Sequence, residues 1–196
     1  METKTEIVTQ YLSDMHVLEK HIQEALEKQV GTTKDRPDIN DTLRRFVATT
    51  KGHVERLEQR MQDLGNQDST VDKAKELVTN LFGQAAGAID SIRTHRASKD
   101  LRDDYAAASL AAISYVMLKT TALACGDADT VRLAEAHLED KIGMLRWLAR
   151  RIPDVVIRDL EAERDVQLDA SAAKQVARDP QIAALVGGYQ GQSATA

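Results

Sequence analysis

Two polar side chains interrupt apolar helical stripes, and their types suit metal or proton chemistry. Leu12, Met15, Ile22 and Leu26 recur at spacings of three, four or seven, and Glu19 falls in the middle of that stripe. In the next segment Leu43, Phe46, Thr50, His53, Leu57, Met61 and Leu64 form a second stripe that contains His53. A buried carboxylate needs a metal, a hydrogen-bond donor or a proton, so Glu19 requires a partner, and His53 is one candidate. A di-metal carboxylate bundle takes a Glu from each of two helices and a Glu-x-x-His pair from each of the other two. No Glu-x-x-His occurs here: Thr50 precedes His53, and Ala134 precedes His137. His-x-x-x-Glu and His-x-x-x-Asp are absent too. His16 and Glu19 share a helix face in reversed order, whereas His21 with Glu24 and His137 with Glu139 suit solvated faces. A lone histidine on an apolar face is more often a hydrogen-bonded core residue than a ligand, so both readings of His53 stand.

Other chemistries have less support. "GQAAG" lacks the lysine and the strand of a phosphate loop, and no serine elbow is present. Cys125 is the single cysteine, which excludes an internal disulfide and a cysteine-rich zinc site. The net charge of -5 argues against a general nucleic-acid binder. The N-terminus has no apolar signal core, and the most apolar stretch, residues 105–126, is broken by Ser109, Ser114, Lys119 and two threonines. It reads as a buried helix, so a cytoplasmic protein with no membrane partner is expected.

These side chains must be carried by helices, because alternating strand patterns are missing and breakers are few: three prolines and ten glycines in 196 residues. The periodicity predicts helices over about 4–30, stopped by Gly31, and from Asp38 to Leu64, capped by Asn40 or Asp41 and ended by Gly65. A weaker helix is predicted over 70–95. Others follow over 99–125, closed by Gly126, and 128–151, with a stripe of Val131, Leu138, Ile142, Leu145 and Leu148. Pro153 is expected to interrupt or end that helix, and a charged helix over 154–178 to follow it. Long amphipathic helices with short links suit an antiparallel bundle.

"YLSDMHVLEKHIQEALEK" (11–28), "HVERLEQRMQDLG" (53–65), "YVMLKTTALACGD" (115–127) and "AEAHLEDKIGMLRWLA" together resemble the YciE/YciF-type ferritin-like bacterial stress proteins, in the same order, over roughly residues 5–150. The resemblance implies an all-α, ferritin-like antiparallel four-helix bundle, usually dimeric, with a carboxylate and histidine di-metal centre. To this the sequence pattern adds a short helix between the second and third long helices and a C-terminal helical extension. Carried over singly, Glu19 matches the first-helix glutamate, His53 the second-helix histidine, and Glu139 or Asp140 the acidic pair of the last long helix. The second-helix glutamate falls on Thr49 or Thr50. The third helix offers "AAASLAAI" (106–113), including Ala108 and Ala111, where its acid and imidazole are expected.

The resulting expectation is a bundle over 1–152, a charged helix over 153–180 and a disordered tail over 181–196. Its metal centre is expected to be degenerate, with Glu19 and His53 kept as a buried hydrogen-bonded pair. The protein is then a homodimeric scaffold or binding protein, not an enzyme, needing no cofactor and meeting a protein partner through the C-terminal helix. Two alternatives remain. One is a mononuclear iron, manganese or zinc site on Glu19, His53 and Glu139 or Asp140 with oxidase or peroxide-related activity. The other is a small hydrophobic ligand in the bundle core.

Overall fold

Thr3 and Glu6 start the first helix by satisfying each other's backbone: the Thr3 hydroxyl accepts from the Glu6 amide, and the Glu6 carboxylate accepts from the Thr3 amide. In the computed structural model, which describes residues 2–65 and 97–182, this helix, α1, runs Lys4–Thr32. It passes through Gly31 and closes when the Thr33 hydroxyl donates to the Gln29 carbonyl at 2.8 Å. Helix α2 is Pro37–Asp63, with proline at its first position, where a missing amide costs nothing. No side chain caps it. Asn40, expected as a cap, instead donates to the Val30 carbonyl and the Thr33 hydroxyl, tying the end of α1 to the start of α2. Gly65 and Gly126 have φ of 81° and 80°, the left-handed turn that ends a helix.

Helices α3 (Ala97–Cys125), α4 (Ala128–Arg164) and α5 (Ser171–Ala177) complete the described structure, which contains no strand. The helix expected over 70–95 lies outside the described residues, as does the tail beyond residue 182.

Helix α4 corrects the expected end at Pro153. It runs through Pro153 to Arg164, 37 residues in all from Ala128, and Asp165 at φ 49° turns the chain. The proline removes only one amide donor, and side-chain ties hold the extension. Val155 is fully buried. Asp159 accepts from Arg36 and from the Ser98 amide at the start of α3, and Asp38 accepts from Arg151 and Arg158.

The cross-helix partners give the directions. Val30 meets Asn40, Glu19 meets His53 and His16 meets Glu58, so α1 and α2 are antiparallel. Gln29 meets Asp104 and Glu19 meets Tyr115, which sets α3 antiparallel to α1. Asp38 meets Arg151 and Arg60 meets Asp127, which sets α4 antiparallel to α2. The result is the expected antiparallel four-helix bundle, with α2 and α3 running the same way on one diagonal. The end of α2 and the start of α3 therefore lie at opposite ends, the arrangement of a bundle with one long crossover. The core is aliphatic, built from Leu12, Ile22, Leu26, Leu43, Leu57, Leu118 and Leu148, with the small Ala108 and Ala111 on α3.

Candidate functional site

At mid-height the aliphatic core gives way to a buried polar cluster. It exists because the helices place polar residues at core positions of their stripes: Glu19 on α1, His53 on α2, Tyr115 on α3, and His137 with Lys141 on α4. All five are at most 2% exposed. Helix α4 presents a stripe of Ala134, His137, Lys141, Met144 and Leu148, with spacings of three and four. The stripe read from the sequence is displaced from it, because two of the true core positions are charged or titratable. His137, assigned to a solvated face, is fully buried.

Glu19 is the hub. Its Oε2 accepts from Lys141 Nζ at 2.7 Å, and its Oε1 accepts from the Tyr115 hydroxyl at 2.8 Å and from His53 Nδ1 at 3.2 Å. Burial alone would raise its pKa, but the Lys141 ammonium and His53 bring it down to about 2. Glu19 is thus a carboxylate stabilised by three donors.

Donor chemistry fixes the protons. Arg56 can only donate, and its Nε lies 2.9 Å from His137 Nε2. His137 is therefore neutral, carries its proton on Nδ1 and donates to the Tyr115 oxygen at 2.9 Å. Burial first, then the charges of His53 and Arg56, lower the His137 pKa to about 2. The Tyr115 phenol is pushed well up by burial and by the Glu19 charge. His53 places its other nitrogen 3.0 Å from Asp140 Oδ2. A carboxylate oxygen thus faces each nitrogen of the His53 ring. The two imidazoles stack, with centroids 3.9 Å apart and planes 19° from parallel.

The expected site residues are thus brought together in part. Glu19, His53 and Asp140 belong to one network, and the expected Glu19–His53 hydrogen bond is present. Glu139 is exposed and takes no part, since it points away from the α4 stripe. His16 turns from Glu19 and meets Glu58 at 2.8 Å. The sequence reading missed Tyr115, Lys141 and Arg56. The three-and-four spacing of Ala108, Ala111, Tyr115, Leu118 and Ala122, and of His137 with Lys141, was the available signal.

The donor set does not fit a pair of metal ions. Two cations need bridging carboxylates and free nitrogen lone pairs. Here the Lys141 ammonium holds one Glu19 oxygen, Arg56 holds the His137 lone pair, and each His53 nitrogen already faces a carboxylate oxygen. Among the described residues no three His, Cys, Asp or Glu side chains converge as a metal site.

Beside the cluster a lateral cleft of about 360 Å³ opens between α2 and α4. Its floor is His53, Asp140 and Lys141, and its walls include Phe46, Met144 and Trp147. The open volume is therefore lateral, and the bundle centre at this level is filled and polar.

A family model described as a domain of unknown function, DUF892, matches residues 3–161. No curated protein matches the chain. A crystallised protein from Xanthomonas campestris pv. campestris is similar in fold, with a TM-score of 0.67 at 19% identity. The match covers 82% of this chain and 98% of that one.

Proposed function

We propose, from the premise that the chain belongs to the DUF892 family of unknown function, that it is a ferritin-like bundle of the YciE/YciF type whose di-metal centre has been replaced by an internally neutralised ion cluster. It works as a non-catalytic, stress-associated scaffold or binding protein. The observation that carries this reading is the Lys141 ammonium seated 2.7 Å from Glu19, where it supplies the positive charge that a metal ion would otherwise bring to that carboxylate. Thr50, Ala108 and Ala111, all buried, support it, because none offers a carboxylate or an imidazole to hold a cation pair. A homodimer is part of the proposal. Ile113, Val116, Met117 and Leu123 form an exposed apolar stripe along α3 suited to a second copy. Exposed Val166, before α5, and Val176, on it, are offered as the contact for a further protein.

Elemental analysis after incubation with iron(II), manganese(II) or zinc(II) tests the reading. The expected result is no stoichiometric metal in the wild type. Stoichiometric metal that disappears in His53→Ala would instead establish the mononuclear alternative on Glu19, His53 and Asp140, with Lys141 displaced.

A further inference from the structure

The cleft between α2 and α4 is more than a gap beside the ion cluster. One wall is aromatic: Phe46 and Trp147 meet edge to face, with centroids 5.4 Å apart at 84°. Met144 adds a polarizable apolar surface deeper in. The opposite edge is polar and positive. Arg45 donates to the Thr42 hydroxyl at 2.8 Å but meets no carboxylate among the described residues. Thr49 and the buried Thr50 also line the cleft. On the floor, Lys141 is 2% exposed and among the described residues makes one hydrogen bond, to Glu19, which uses one of its three N–H donors. Asp140 is the one acid lining the cleft, and its Oδ2 lies 3.0 Å from a His53 ring nitrogen. Arg45 is therefore a cation of the cleft with no carboxylate partner among the described residues. A Cβ built on Gly143 would meet nothing within 4 Å, so the absent side chain leaves room for a ligand.

From this we infer that the cleft binds a small aromatic carboxylate. The carboxylate lies between Arg45, the threonine hydroxyls and Lys141, and the ring lies against Phe46, Met144 and Trp147. The volume is near the lower end for small-molecule sites, which limits the ligand to a single ring with a short acidic arm. Recognition combines a charge-assisted hydrogen bond with an edge-to-face aromatic contact. The inference rests on the proposed reading in one respect, because Lys141 serves as a donor only while no metal displaces it. Arg45 and Gly143 lie outside the ion cluster, so variants at these positions test the cleft independently.

Trp147 is the only tryptophan and stands in the cleft wall, so its emission reports occupancy directly. Full-length protein treated with chelator is titrated with 3-phenylpropionate, with neutral 3-phenylpropanol and with cationic 3-phenylpropylamine. Saturable change is expected with the carboxylate, with at least about tenfold weaker binding of the other two, equivalent to about 1.4 kcal/mol. Arg45→Gln is expected to weaken the carboxylate to the level of the alcohol. Gly143→Leu is expected to abolish the response while unfolding at the same or a higher temperature, since leucine is the better helix former. Equal binding of the three compounds, a response that survives Gly143→Leu, or no saturable response would overturn the inference. A repeat on metal-treated protein separates the two proposals, because metal uptake with intact carboxylate binding sinks only the first.

Discussion

At the scale of single residues, the cluster stands or falls on compensation. Glu19 is fully buried, and removing Lys141 leaves its charge without a counter-ion. Lys141→Met is expected to cost about 3–5 kcal/mol in urea unfolding, the usual penalty for breaking a buried pair from one side. Glu19→Gln combined with Lys141→Met is expected to restore most of that loss; equal losses in the single and double variants would contradict the pairing. The titrating groups set a pH profile. His137 has a depressed pKa, so the stability it contributes is complete above its ordinary 6.5 and declines as pH falls from there toward about 2. Glu19 adds a loss of the same sign from its ordinary 4.5 down to about 2. Asp104 acts in the opposite sense. It is buried on α3 with Oδ2 unpartnered, and burial raises its pKa to about 7 despite a 2.7 Å hydrogen bond from Gln29. Its contribution is complete below 3.8 and is lost as pH rises through about 7. Thermal unfolding should therefore show Asp104→Asn more stable than wild type at pH 8, with the gain shrinking toward pH 4. His137→Gln should flatten the slope between pH 6.5 and 4.5.

At the scale of elements, the charged end of α4 is structural. Asp159 holds Arg36 at 3.2 Å and the Ser98 amide at 2.8 Å, so one carboxylate serves the starts of both α2 and α3. Truncation after Ile152 is expected to destabilise the whole bundle, and Asp159→Ala to cost about 1–3 kcal/mol, read from urea midpoints at constant slope. A truncated chain as stable as the full one would show the extension to be an appendage. The helices themselves were legible where apolar periodicity is plain. The stripes of α1 and α2, with Glu19 and His53 inside them, are the buried faces found. Helix α4 was misjudged twice for the same kind of reason. His137 and Lys141 disguise its core face, because a lone lysine reads as solvated until a buried carboxylate is known to face it. Pro153 reads as a terminator, because its local cost is visible in sequence whereas the ties to Arg36, Asp38 and Ser98, each more than fifty positions away, are not. Tyr115 was hidden by company: on an alanine-rich helix it looks like filler, and its role comes from Glu19 and His137 on other helices.

At the scale of the whole molecule, α3 is unlike its neighbours. It is the one described helix long and apolar enough, by length and composition, to cross a membrane. Yet Asp104 and Tyr115 are buried on its inner face, while Ile113 and Met117 are 55% and 50% exposed on the other. Light scattering is expected to find a dimer that Ile113→Lys with Met117→Lys converts to a monomer of unchanged helix content; an unchanged mass would place any contact elsewhere. The seam between α2 and α4 is pinned at three heights: Asp38 with Arg151, His53 with Asp140, and Arg60 with Asp127. Those three pins work like the notches of a key. In an undistorted helix, adding one residue between Asp38 and Arg60 would swing everything beyond it by about 100°, so at least one notch must miss. Length changes are therefore expected in the connecting segments, in paired adjustments of both helices, or absorbed locally as a π-bulge. A relative carrying a lone extra residue within either helix, with all three pins kept and no π-bulge, would be geometrically inconsistent with this bundle.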